Sequence, residues 1–301
     1  FPTRRSSDLF EEYAYYLVSE ARQKCANHIF KLGGNVYAFD STTIDLCLSV
    51  FWWAKFRKKK GGIKVHTLYD VETQIPAFFH ITEASVHDSK VMIEIPYEPS
   101  SYYIFDRGYN NFKILYKIHQ IEAYFVVRAK KNLGYKSIQW KRRLPKNVLS
   151  DASVFLTGFY PKQYYPEPLR LVKYWDEEQE REFTFITNAM HISALQVAGL
   201  YKNRWQAELL FKWLKQHFKI KRFWGTTENA VRIQIYAAIC AYCLVAIIQH
   251  DMQLNRSTYE VLQILSISLT DKTHLRDLFD KTKFQNDKER FGPNGPSLFN
   301  F

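Results

Sequence analysis

Three acidic residues and one basic stripe are the parts of this sequence whose types and spacing could do chemistry. The stretch YKNRWQAELLFKWLK, residues 201–215, holds a single acid, Glu208, among basic and aromatic side chains. It contains no Gly or Pro, and its Ala, Leu, Lys, Gln and Glu favour one continuous helix. At about 100° per residue, Tyr201, Arg204 and Lys215, at offsets of −7, −4 and +7, fall within roughly 40° of Glu208. Leu209, Leu210, Trp213 and Leu214 turn away and can bury. The stripe reads either as a solvated face with ion pairs worth roughly a few tenths of a kcal/mol each, or as a site presenting a phenol, a guanidinium, a carboxylate and an ammonium together. Two more acids, Asp40 and Asp106, end the apolar runs NVYAFD and SYYIFD. Alone, each is an ordinary strand-boundary residue. Brought together, two carboxylates repel unless one is protonated or a cation bridges them. Glu208 can complete an all-oxygen ligand set of the kind Mg²⁺ or Mn²⁺ prefers.

The elements around these residues must bring two early strands to a late helix. Residues 10–30 have helical periodicity and are stopped by Gly33 and Gly34. A strand ending at Asp40 follows, then strand-like runs at 63–70 and 75–85. Ser85 or Asp88 can cap a short helix through 88–94. Next come a strand ending at Asp106, a helix begun by RGYNNFKILYKIHQ, and the strand AYFVVRA at 123–129. That order fits α/β architecture, a mixed sheet flanked by helices as in RNase H-like cores, where the first and fourth strands are neighbours. From about 133 to 184 the texture changes to short strands between charged or Pro-rich turns, read as an inserted β subdomain. The core then has two parts, 36–132 and 185–255, preceded by a helical remnant at 10–35 and followed by a helical or irregular tail at 256–301.

The chain has 301 residues, a formal charge of +12, 47% hydrophobic and 17% aromatic residues. It can bury a real core, and its charge favours a polyanion, nucleic acid first. Cys25, Cys47, Cys240 and Cys243 form no secreted disulfide pattern, so a reducing cytoplasm is expected. The Cys240–Cys243 pair lies in an apolar run without nearby His and reads as core packing. That run, 235–248, is shorter than the roughly 18 residues of a membrane span and reads as a buried helix.

Tyr201, Arg204, Glu208 and Lys215 match at every spacing the Tyr-x2-Arg-x3-Glu-x6-Lys signature. On these residues, with AFDSTT around Asp40 and FDRGY around Asp106, the chain resembles insertion-sequence transposases of the YREK group, the insertion-sequence-four family, from about residue 10 onward. The resemblance implies a DDE enzyme in which Asp40, Asp106 and Glu208 hold two Mg²⁺ or Mn²⁺ ions. It implies cut-and-paste chemistry on double-stranded DNA, at terminal inverted repeats and a target, in a bacterial cytoplasm and with a homodimer in the DNA complex. Arg204 and Lys215 would contact DNA backbone, Tyr201 would position a phosphate, and Trp205 would support the distorted end or simply pack. A metal-dependent nuclease on the same fold would need the three acids but not the stripe. A decayed or domesticated DNA-binding derivative would tolerate loss of an acid, and all three are present.

Further candidates are the basic, aromatic segment 52–64 with Lys58, Lys59, Lys60 and Lys64, a loop against DNA backbone or a solvated hairpin. Ser41, Thr42 and Thr43 could orient waters. His87 and Asp88 suggest metal ligation or a helix cap, and His66 and His80 read as structural. Trp175 in the β region is a candidate for holding a flipped base, or core. PTRRSSDL at 2–9 resembles a translated sequencing adapter and is set aside from fold reasoning. Native sequence is then expected from near Phe10, truncated of the N-terminal helical domain that reads terminal repeats in relatives.

Overall fold

A computed structural model of the chain describes residues 5–25, 30, 32–57, 60–217, 223–256, 258–268 and 272–281. The helices are α1 (Ser6–Lys24), α2 (Asp88–Val91), α3 (Phe112–Gln120), α4 (Phe159–Tyr164), α5 (Ala194–Lys202), α6 (Trp205–His217), α7 (Glu228–Asp251), α8 (Thr258–Ser268) and α9 (Leu275–Lys281). The strands are β1 (Val36–Leu46), β2 (Lys55–Arg57), β3 (Lys60–Asp70), β4 (Ile75–Glu83), β5 (Tyr102–Phe105), β6 (Tyr124–Arg128), β7 (Tyr135–Trp140), β8 (Val148–Leu156), β9 (Leu169–Asp176) and β10 (Arg181–Thr187). Short 3₁₀ turns cover Met92–Glu94 and Arg107–Tyr109. The chain divides into two compact units, residues 1–243 and 244–301.

All ten strands join one mixed sheet of order β2-β3-β1-β5-β6-β10-β9-β8-β7, with β4 also on β3. β1 pairs antiparallel with β3 and parallel with β5, and β5 pairs parallel with β6. A parallel pair cannot be closed by a tight turn, so β5 reaches β6 through α3. The apolar face of α3 supplies Ile114, Leu115 and Ile118 to a core shared with Tyr103, Phe105, Phe125 and Val127. The turn before β1 needs glycine. Gly33 has φ of +75°, and a Cβ on Gly34 would lie 2.0 Å from the Ser100 carbonyl oxygen.

Several elements differ from the sequence reading. β1 does not stop at Asp40 but runs on to Leu46, because the β-branched Thr42, Thr43 and Ile44 continue the ladder against β3. The β run after residue 133 extends the same sheet: β10 pairs with β6, and Ala152, Val154, Leu156, Leu169, Leu171 and Ile186 share the core of α3. α1 begins at Ser6 rather than Phe10, with Ser6 and Ser7 bonded to Asn229. The short helix is capped by His87, whose ring accepts from the Ser89 N–H, so the cap is neither Ser85 nor Asp88. α7 is longer than its apolar run suggests and, by length and hydropathy alone, could cross a membrane, yet 56% of its apolar window is buried. Val231, Ile235, Tyr236, Ile239, Cys240 and Cys243 are buried, as in a core helix.

In the second unit, Val245, Val261, Ile264 and Phe279 form a small core, and Arg256 donates to the Phe279 carbonyl. The Pro- and Gly-rich end of the tail lies outside the described residues.

Candidate active site

The last parallel pair between β1 and β5 is Phe39 with Phe105. Asp40 and Asp106 are the next residues on each strand, so the sheet sets them side by side where β5 ends. The first and fourth large strands are indeed neighbours. Asp106 leaves the sheet as the N-cap of the Arg107–Tyr109 turn, whereas Asp40 stays in the ladder opposite Thr67.

The continuous helix expected across 201–215 is broken. α5 ends at Lys202 and α6 begins at Trp205, so Tyr201 and Glu208 sit on different helices. Around the break, Asn203 and Arg204 N–H groups donate to carbonyls three residues back, and the Asn203 amide bonds the Gly199 carbonyl at 2.8 Å. No Gly or Pro forces this. Asn203 caps α5 there, and Arg204 at the break reaches Asp40 on β1 at 2.6 Å as well as Glu208 one turn on at 2.5 Å. A continuous helix would form a stripe facing one way; the broken one wraps its residues around the two strand acids. Tyr201, packed on Phe183 and Phe185, donates its hydroxyl to Asp106 at 2.8 Å. Five of the residues singled out by chemistry and spacing are therefore drawn to this end of the strand pair in two hydrogen-bonded sets, Tyr201 with Asp106 and Arg204 with Asp40 and Glu208.

Electrostatics sort these acids. Burial pushes the Asp40 carboxyl up to about 6, with Glu208 and Asp106 acting in the same direction and Arg204 and the Ser41 N–H opposing. Burial also works against charge on Asp106, but the Arg107 N–H, the Tyr201 hydroxyl and the Arg204 and Arg128 charges outweigh it and hold this carboxyl below the usual range. Burial raises the Tyr201 phenol to about 12, assisted by Asp106. Against its own burial, Arg204 is held charged by Asp40, Tyr201, Glu208 and Asp106. Its Nε is buried and has no hydrogen-bond partner among the described residues.

Whether a divalent ion fits can be asked of the donors themselves. Among the described residues, no three Asp, Glu, His or Cys side chains close on a single point. Asp40 and Glu208 close on the Arg204 guanidinium instead, which occupies the place of a cation between them. The donors are all carboxylate oxygens, with no soft ligand, and they already hold one positive charge. In chemistry they would suit a hard divalent ion; in position Asp40 and Glu208 face Arg204 rather than a common point with Asp106.

A family model described as a transposase DDE domain matches residues 31–244. The chain belongs to the transposase DDE domain family. Among relatives of this DDE transposase is a Sinorhizobium fredii protein named as transposase y4zB, 37% identical over 246 residues, covering 79% of this chain and 67% of the relative. A Geobacillus stearothermophilus protein named as a transposase for the element IS5377 is 30% identical over 205 residues, covering 68% of this chain and 54% of the relative. A Synechocystis protein named as a transposase for the element IS4SA is 24% identical over 282 residues, covering 89% of this chain and 76% of the relative. The DDE transposase is accordingly an enzyme that cuts and rejoins DNA phosphodiesters, in a family that normally uses a divalent metal.

Other expected residues stand apart from this cluster. Trp205, at the start of α6, is 49% exposed. Trp175 is 39% exposed on β9 and is not core. Lys215 is half-buried on α6. Lys64 does not project toward solvent: its ammonium donates to the Val86 carbonyl at 2.8 Å and pairs with Asp88 at 3.1 Å. The side chain of Lys60, and Lys58 and Lys59 entirely, lie outside what is described. Two features lie outside the sequence reading: the placement of Asp88 behind the strand acid, where metal ligation or a helix cap is expected of it, and Arg128. Asp88 accepts from the Ser41 hydroxyl at 2.9 Å, and Ser41 donates its N–H to Asp40, so Asp88 buttresses the strand acid from behind. Arg128 ends β6 beside Asp106, its guanidinium over the Phe183 ring at 4.9 Å. Its place after VV in a strand adjoining the Asp106 strand was the available signal.

Proposed function

We propose that this DDE transposase is a member of the YREK group with an RNase H-like core, in which Asp40, Asp106 and Glu208 are the catalytic carboxylates. The observation that carries the proposal is the Arg204 bridge from Asp40 to Glu208, which ties the late helix to the strand pair bearing both other acids. The sheet order β4-β3-β1-β5-β6, with the first three antiparallel and the last two parallel to β1, supports the fold assignment.

Two Mg²⁺ or Mn²⁺ ions held by Asp40, Asp106 and Glu208 would supply the Lewis acidity that activates water and steadies the departing oxygen. The protein's own residues do the rest. Arg204 keeps Asp40 and Glu208 from repelling one another in the free protein. It also carries an unused Nε–H that can donate to a DNA phosphate once the carboxylates turn away. Tyr201 fixes the orientation of Asp106 through its hydroxyl, and Lys215, further along α6, adds positive charge for the backbone. Cleavage at an insertion-sequence end frees a 3′-hydroxyl that attacks either the opposite strand or a target duplex, and a homodimer would hold paired ends. Asp40→Asn, Asp106→Asn and Glu208→Gln should each abolish Mg²⁺-dependent cleavage of inverted-repeat duplex while retaining a cooperative thermal unfolding transition. Cleavage at more than a tenth of the unmutated rate by any of them would remove that residue from the site.

A further inference from the structure

The sheet ends in a strand that has water on both sides. Among the described residues β7 pairs only with β8, and five of its six residues, Tyr135, Lys136, Ile138, Gln139 and Trp140, are exposed. An open edge of this kind normally invites pairing with another chain, and proteins guard it with a charge or two. Here the charge goes well beyond guarding. Between Ala129 and Ser150 the sequence carries Lys130, Lys131, Lys136, Lys141, Arg142, Arg143 and Lys146 and no acidic residue. All seven are exposed.

Two of these have partners in the protein: Lys141 lies 3.2 Å from Asp151 and Lys146 3.1 Å from Glu177. The other five make no ion pair among the described residues. Within the same stretch Tyr135, Trp140 and Leu144 expose apolar surface, Trp140 by 59%. Unpaired cations interleaved with open aromatic rings complement a polyanion that has flat rings of its own.

We propose that the β7 edge and the turns flanking it form a second binding surface for duplex DNA, contacting the phosphate backbone remote from the acid cluster through Lys130, Lys131, Lys136, Arg142 and Arg143. The proposal rests on the DNA-processing role of the acid cluster but does not depend on which residues cut. The topology gives its distance. Five strand steps separate β5, which bears Asp106, from β7. At about 4.8 Å per step that is roughly 24 Å, or about seven base pairs of duplex at 3.4 Å each. DNA whose cleaved end lies at Asp40 and Asp106 and runs along the sheet reaches β7 with its internal backbone. Target DNA entering over β7 would meet the same cations.

The test is a salt titration of binding by the full chain to a 40-base-pair mixed-sequence duplex, comparing the unmutated protein with the triple variant K136Q/R142Q/R143Q. None of the three side chains has an ion pair or hydrogen bond to lose among the described residues. If each contacts a phosphate, the slope of log K against log salt becomes shallower by about 2.7, and affinity at 0.15 M salt falls about 10- to 100-fold. The conservative variant K136R/R142K/R143K should keep both. An unchanged slope and affinity in the triple variant would overturn the proposal and leave these charges as edge guards only, most plainly if the variant then self-associates. Two arms locate the DNA. If the surface holds the element end, shortening an inverted-repeat duplex to five base pairs inside the cleaved end removes the variant's deficit. If it holds target, the deficit follows the mixed-sequence duplex at any end length. The titration needs no metal and no cleavage, so a mistaken assignment of the carboxylates would appear in the cleavage assay without disturbing this result.

Discussion

Replacing Arg204 by Ala should loosen the folded protein and at the same time tighten its hold on divalent metal. Arg204 and Asp40 are only 17% and 18% exposed, and the guanidinium also holds Glu208. Removing one partner of a fully buried pair costs about 3–5 kcal/mol, because the other charge is stranded. Here the loss is capped. Burial already pushes Asp40 up to about 6 with Arg204 present, so without Arg204 the carboxyl takes up a proton near neutrality instead of remaining a bare charge. A loss of about 2–3 kcal/mol is expected, a fall in Tm of about 5–10 °C for a unit of this size. The metal response should run the other way. With the competing cation gone, Asp40, Asp106 and Glu208 are free to turn to an added ion. The midpoint of Mg²⁺-induced Tm elevation should therefore fall about tenfold at pH 7.5, although cleavage is impaired by loss of the phosphate contact. Thermal melts across a Mg²⁺ series, for the unmutated protein, Arg204→Ala and Arg204→Lys, measure both effects. An Arg204→Ala protein with normal Tm, or one that needs more Mg²⁺ than the unmutated chain, would refute the account of Arg204 as a stand-in cation.

Tyr201→Phe should lower stability by about 1.5–3 kcal/mol, the worth of a hydrogen bond to a charged group, since the hydroxyl bonds Asp106 and the ring packing is retained; urea melts check this, and cleavage should fall more than DNA binding. His66 is fully buried with Nε2 on the Thr82 hydroxyl, and burial pushes its pKa down to about 4 from 6.5. The folded state therefore prefers the neutral ring. The corresponding stability, about 3 kcal/mol, is fully present above pH 6.5 and is lost as pH falls toward 4. Denaturant melts from pH 7.5 to 4.5 should show a flatter profile for His66→Gln than for the unmutated protein.

The elements were legible wherever local chemistry decides them. Alternating apolar runs gave β3 to β6, the turn-separated runs after residue 133 gave β7 to β10, and the signature spacing led to Tyr201, Arg204 and Glu208. What the sequence hid was set by contacts between distant residues. Neither Gly nor Pro interrupts YKNRWQAELL; at the break Asn203 caps α5 and Arg204 reaches Asp40, 164 positions earlier, a contact the sequence does not announce. The reach of β1 beyond Asp40 depends on β3 being there to pair with it, with Gly61 fitted so closely against the Ala54 carbonyl that a Cβ would lie 2.9 Å away. The apparent inserted subdomain looked separate because its charged turns mark a change in texture, yet Phe185 pairs with Arg128 and carries the sheet on. The candidate acids could be named from the sequence, but not that a guanidinium would lie between two of them.

The most direct test of the central claim is to load the protein with Fe²⁺ in place of Mg²⁺, add ascorbate and peroxide, and map where the polypeptide is cut by locally generated hydroxyl radicals. If Asp40, Asp106 and Glu208 hold one metal centre, fragments should end near residues 40, 106 and 208 together, all three should compete away with Mg²⁺, and Asp40→Asn should weaken all three at once. Cuts confined to one of these segments, or found elsewhere and indifferent to Asp40→Asn, would contradict the account.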